Sequence, residues 1–125
     1  MKELLEVAGM TDSELLERMN DAFEQITEAI EAGGALLELD KKPDFRWAGI
    51  ARLPGGKLLI NAHKTGKQAT PESKKPVVEA IADLTLEGRI LARILFYSSR
   101  TDIEYPGGVH KPFDHSGVAK IFSSV

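Results

Sequence analysis

The sequence predicts an α+β fold in a single domain: an N-terminal helix, a three-stranded antiparallel sheet, a long central helix and a C-terminal strand or loop extension. Three observations predict it. An apolar stripe of helical spacing runs through residues 12–32, an alternating stretch folds about a Pro-Gly-Gly turn, and a second stretch of helical spacing fills residues 77–97. With 125 residues, 42% hydrophobic and 28% charged, the chain has the size and composition of one domain spanning residues 1–125. Residues 1–10 read as an N-terminal arm and residues 101–125 as the C-terminal extension.

The first helix has marked ends. Thr11 stands three residues before Glu14, the spacing of a capping box, and Gly33 and Gly34 close the segment where a left-handed C-cap belongs. Between them Leu15, Met19, Ala22, Ile26 and Ala29 recur at alternating four and three, with Leu16, Phe23 and Ile30 widening the stripe, while the opposite face is acidic. Such a stripe packs on its own sheet, or forms a seam for a homodimer through residues 12–32.

Next come the strands. "ALLELD" is a short strand, "DFRWAGIARL" alternates, and "KLLINAH" returns after Pro54, Gly55 and Gly56, where Pro presets φ at the turn entry and Gly supplies the positive φ behind it. This hairpin puts Arg46, Arg52, Lys57 and His63 on one face of the sheet.

The second helix is expected to start at Pro71, capped by Thr70, or near Lys74. Val77, Ile81, Leu84, Leu91 and Leu95 then share a face centred on Gly88, read as a site of close approach by another element; Leu86, Ile90, Ile94 and Tyr97 form a second face. Arg89, Arg93 and Arg100 fall on one strip between those faces, suited to carboxylate or phosphate oxygens. The order helix, three strands, helix, with Ser73, Lys74 and Lys75 at the last helix start, resembles double-stranded-RNA-binding domains over Ala35 to Leu84. That partial resemblance implies a lysine pair held against phosphates. It departs from the family's pattern at Pro76, Val77 and Val78 and in the acidity of the first helix.

The tail predicts a short strand around Ile103, a Pro-Gly-Gly turn, an irregular loop, and a final strand or one-turn helix bearing Val118, Ile121 and Phe122. His110, Asp114 and His115 cluster in the loop and, with His63, comprise a candidate metal set of unrecognised spacing. Asp102 and Glu104 share a strand face.

Charge divides the chain. Residues 1–33 hold nine acids against two bases, a net of −7, whereas residues 41–75 hold nine bases against two acids, a net of +7. The basic stretch "GKLLINAHKTGKQATPESKKP" gathers Lys57, Lys64, Lys67, Lys74 and Lys75. The absence of Cys excludes disulfides, thiolate metal sites and Cys nucleophiles and suits a reducing compartment. "MKELLEVAGM" lacks the pattern of a secretory signal, and no apolar run reaches the roughly 18 residues of a membrane helix, so the expectation is cytoplasmic with no membrane partner. Nucleotide-hydrolysis, dinucleotide and hydrolase signatures are missing, and no cofactor is indicated.

The leading functional expectation is therefore a small non-enzymatic binding protein. It would hold a phosphate-bearing anion, nucleic acid or nucleotide, on Arg46, Arg52, Lys57, His63, Lys64, Lys67, Lys74 and Lys75, with Arg89, Arg93 and Arg100 contributing. The alternative is a homo-oligomeric protein-interaction module, an adaptor or inhibitor. A metal-dependent enzyme at the His loop comes third.

Overall fold

The computed structural model describes residues 9–123, so most of the N-terminal arm lies outside the described residues. One antiparallel sheet of seven strands dominates: β1 (Glu38–Lys41), β2 (Trp47–Leu53), β3 (Gly56–Lys64), β4 (Val78–Leu86), β5 (Arg89–Tyr97), β6 (Thr101–Tyr105) and β7 (Val109–Pro112). Each strand pairs with the next in sequence, which makes the sheet a simple meander. Helix α1 (Asp12–Ala32) lies across one face, and α2 (His115–Ser123) packs beside it.

The expected start and end of α1 are present. Thr11 Oγ1 accepts from the Glu14 N–H at 3.1 Å while Glu14 Oε1 accepts from the Thr11 N–H at 2.9 Å, closing the capping box. At the far end Gly34 takes φ +92°, its N–H reaches Glu31 O, and the Ala35 N–H reaches Ile30 O, the paired bonds of a Schellman motif. Leu15, Met19, Ala22, Phe23, Ile26 and Ile30 are buried against the sheet. At about 1.5–3 kcal/mol for each large side chain, that burial far exceeds what the two caps supply. These six residues of the stripe are used within the chain, while Leu16 beside them is 42% exposed. Phe23 meets Trp47 edge to face, with ring centroids 5.3 Å apart.

The long central helix is not there. Residues 78–97 form the β4–β5 hairpin, and the sheet has seven strands rather than three. Glu87 and Gly88 take φ +49° and +82°, two consecutive left-handed residues that close a two-residue turn and that no α-helix accommodates. Gly88 is required for that φ and not for close approach, since nothing lies within 4 Å of where its Cβ would be. Along β4, Ala80, Ala82, Leu84 and Leu86 point to the core and alternate with Ile81, Asp83 and Thr85. The two alanines are fully buried in the core to which α1 contributes.

The same correction removes the helix start at Lys74 and Lys75. Those lysines sit in an exposed connection between β3 and β4, where Thr70 and Ser73 close a local turn: the Thr70 N–H donates to Ser73 Oγ and the Ser73 N–H to Thr70 O. Without that helix the likeness to double-stranded-RNA-binding domains lapses. Buried Glu79, at a register irregularity in β4, fixes this connection by accepting from the backbone N–H groups of Met10 and Ala69.

The β2–β3 hairpin is as expected. Pro54 and Gly55 make the turn, Gly56 takes φ +136°, and Arg52 pairs with Lys57. Beyond it, Glu87 ties the tips of two hairpins together by giving its N–H to Lys57 O and accepting the Lys57 N–H at 2.7 Å. In the tail, the strand at Ile103 and the Pro-Gly-Gly turn are present, but the irregular loop is strand β7, and the final element is a nine-residue helix.

Candidate anion-binding cleft

The register puts the side chains of β2 and β3 on alternating faces. Trp47, Ala51, Leu58, Ile60 and Ala62 turn to α1, whereas Ala48, Arg52, Lys57, Leu59, Asn61 and His63 turn to the face that no helix among the described residues covers. At one end of this face the β1–β2 connection bends sharply: Phe45 takes φ +66° and its N–H donates to Lys42 O. The bend brings Lys42, Asp44 and Arg46 alongside His63 and Lys64 at the end of β3. Together with Asn61 and Gly66 they border an open cleft of about 650 Å³.

Each cation here has a weakly held partner. Lys42 pairs with Asp40 at 3.1 Å, Arg46 with Asp44 at 3.6 Å, and Lys64 with Asp12 of α1 at 2.8 Å while also lying 4.4 Å over the Phe45 ring. Exposed pairs of this kind contribute about 0–1 kcal/mol, so an incoming anion competes with them at little cost. The His63 Nδ1 lies 3.1 Å from Lys64 O; a carbonyl only accepts, so Nδ1 carries a proton and Nε2 is left for another partner.

Among the residues the sequence singles out, the cleft gathers Arg46, His63 and Lys64. Arg52 and Lys57 share the face of His63 but lie at the opposite end of the hairpin, roughly 20 Å away by strand rise. Lys67 lines a smaller cavity of about 220 Å³ with Glu79 and Asp12. Lys74 and Lys75 are exposed on the β3–β4 connection.

The arginine strip does not exist as a strip. Arg89 begins β5 opposite Leu86, on the side of α1, while Arg93 stands opposite Asp83 on the uncovered face. Arg93 Nε donates to Asp83 at 2.6 Å, and that hydrogen bond, with the charge of Asp83, raises its pKa. Arg100 lies in the β5–β6 turn and donates to Asp102 at 2.8 Å. Their partners are acids on β4 and β6.

The three histidines are also apart. His63 belongs to the cleft, His115 opens α2, and His110 Nε2 sits 2.8 Å from the same Asp102 oxygen that Arg100 bonds. Among the described residues no group of three or more His, Asp or Glu is arranged to hold a metal ion. Asp102 is only 4% exposed; burial, the largest influence, pushes its pKa up, but the hydrogen bonds from Arg100 and His110 and their charges outweigh it and leave it lowered. Tyr97 covers this group, with the Arg100 guanidinium 4.4 Å from its ring centroid.

Two features escape the sequence reading: Lys42 as a wall of the cleft, and the Arg100–Asp102–His110 group. The second is implicit in the Pro-Gly-Gly turn, because a β6–β7 hairpin sets Glu104 opposite His110 and so places Asp102 on the diagonal. The fold and site thus define a meander-sheet α+β domain with a basic cleft at one end of its uncovered face. No known protein family matches the chain, and neither does any curated protein or solved structure.

Proposed function

We propose that this protein is a small non-enzymatic binding protein that takes a phosphate-bearing ligand in the cleft between the β1–β2 connection and the end of β3. The convergence of Lys42, Arg46, His63 and Lys64 on one cleft of about 650 Å³ carries the reading. Lys67, Lys74 and Lys75 follow on the adjoining connection and extend the positive surface toward a longer anion such as a nucleic acid strand. A chain without Cys, of this charge, suits a cytoplasmic setting, and none of the helices among the described residues is long and apolar enough to cross a membrane.

Titration of the protein with a nucleoside triphosphate and with a labelled single-stranded oligonucleotide, each at two salt concentrations, tests this. Binding is expected to weaken about tenfold or more for Arg46→Glu and Lys64→Glu and to be unchanged for Arg89→Glu. A steep salt dependence with the oligonucleotide alone identifies a polymer ligand. No binding at low salt, or equal losses for all three variants, overturns the reading.

One observation favours a second reading, a protein-interaction module. Ile50, Leu59, Thr85 and Ile90 stand in register across four strands of the uncovered face, and Leu59 and Ile90 are 39% and 48% exposed. If that row is a contact surface, Leu59→Lys abolishes association with a partner while leaving anion binding intact.

A further inference from the structure

On the sheet face away from α1, the register sets a row of three aliphatic residues and a threonine between two kinds of charge. Ile50, Leu59, Thr85 and Ile90 lie side by side on β2 to β5, and Leu59 and Ile90 are 39% and 48% exposed. Two residues along the strands to one side stand Arg52 on β2 and Lys57 on β3, paired with each other. Two residues along to the other side stand Asp40 on β1, opposite Ala48, and Asp83 on β4, opposite Asn61. The strand period keeps all of these side chains on one face.

The cations are unspent. Arg52 and Lys57 are exposed, and among the described residues no hydrogen bond or ion pair holds either side chain. Like charges directly opposite each other are unfavourable in a sheet, so this pair costs the isolated chain stability that acids from outside would recover. The acids across the row have capacity to spare. Asp40 meets Lys42 at 3.1 Å, with both side chains more than half exposed. Asp83 holds Arg93 through Oδ1 at 2.6 Å, and among the described residues its Oδ2 has no partner.

The pattern is self-complementary. A two-fold axis along the row sets the row against itself and turns the basic side of one chain onto the acidic side of another. Arg52 then stands over the partner's Ala48, one strand spacing of about 4.8 Å from the partner's Asp40; Lys57 stands over the partner's Asn61, as far from the partner's Asp83. Symmetry makes each contact twice.

We propose that this face is the interface of a symmetric dimer, in which a second copy of the chain packs sheet to sheet across the Ile50, Leu59, Thr85 and Ile90 row and pairs its acids with Arg52 and Lys57. The proposal rests on the reading of that row as a contact surface and names what meets it. Sheets packed in this way lie about 10 Å apart with their strands within about 30° of alignment. Five strands over three rows of side chains cover about 500 Å² per chain, the extent of a reversible contact and not of an obligate one.

The test is sedimentation of the full chain from low micromolar to millimolar concentration. Wild type should show a monomer–dimer equilibrium, and Leu59→Lys should remain monomeric with unchanged circular dichroism. Arg52→Glu and Asp40→Lys, both at exposed positions, should each weaken the dimer about tenfold or more, because each sets like charges together at both ends. Mixed in equal amounts, the two variants should associate about as tightly as wild type, since the heterodimer restores opposite charges at every contact. A wild type that is monomeric throughout, a dimer that survives Leu59→Lys, or a mixture no tighter than its components overturns the proposal. A monomeric wild type that loses another protein partner on Leu59→Lys keeps the contact surface and overturns the second copy alone. Lys64→Glu, which disables the phosphate cleft from the other face of the sheet, should leave the dimer as it is, so the two readings fail separately.

Discussion

Helix α1 and the β4–β5 hairpin are stretches of nearly equal length that supply much of one core, yet they are held in opposite ways. In α1 the backbone bonds are local, and both ends are closed by side chains or glycines within three residues of the boundary. In the hairpin the decisive local feature is at the centre, the Glu87–Gly88 turn, and both strands depend on distant chain, β4 on β3 and β5 on β6. Apolar spacing is therefore a statement about which residues are buried. The ends and turns decide how the chain gets there.

The comparison breaks most sharply at Met19 and Ile26, which are fully buried between α1 and the sheet. Met19→Glu or Ile26→Glu should destabilise by about 4–5 kcal/mol or more, enough to unfold a domain of ordinary stability, and circular dichroism should show the loss. A folded monomer from either variant would instead assign the stripe to a dimer seam.

Smaller effects follow at the turn beyond the hairpin. Asp102→Asn removes a buried carboxylate from Arg100 and His110, which are themselves 48% and 37% exposed, and should cost about 1–3 kcal/mol at pH 7. The sign with pH is fixed by the lowered pKa of Asp102, below its ordinary 3.8. Its contribution is fully present above that value and is lost as pH falls through the folded value. Chemical denaturation at a series of pH values should find wild type and Asp102→Asn converging in acid. A constant gap would mean the carboxylate's charge does not matter.

Gly88→Ala gives a test by sign. In the interior of a helix it would stabilise by about 1 kcal/mol. At φ +82° it should destabilise by about 1–2 kcal/mol, read from the denaturation midpoint. Least of all, Thr11→Ala should cost about 1 kcal/mol by opening the capping box, with no change in the hairpin's amide protection. A loss of protection at β4 and β5 as large as at α1 would show that the two regions open together.

What the sequence by itself determined were the features whose bonds close within a few residues. The caps of α1, the Pro-Gly-Gly turns, and the shared face of Arg52, Lys57 and His63 belong to that set, because a cap or a two-residue turn specifies its own geometry and the strand period carries it outward. Only the tertiary structure decided that residues 78–97 are strands. Ala80 and Ala82 are buried in the core to which α1 contributes, and an alanine carries no periodic signal of its own to distinguish a repeat of two from one of 3.6. The candidate sites were divided on the same line: His63 and Lys64 were placed by the hairpin, whereas Lys42 joined them through the bend at Phe45, and His110 found Asp102 through the pairing of β6 with β7. Such contacts depend on register between strands, and register is settled by what the whole sheet buries.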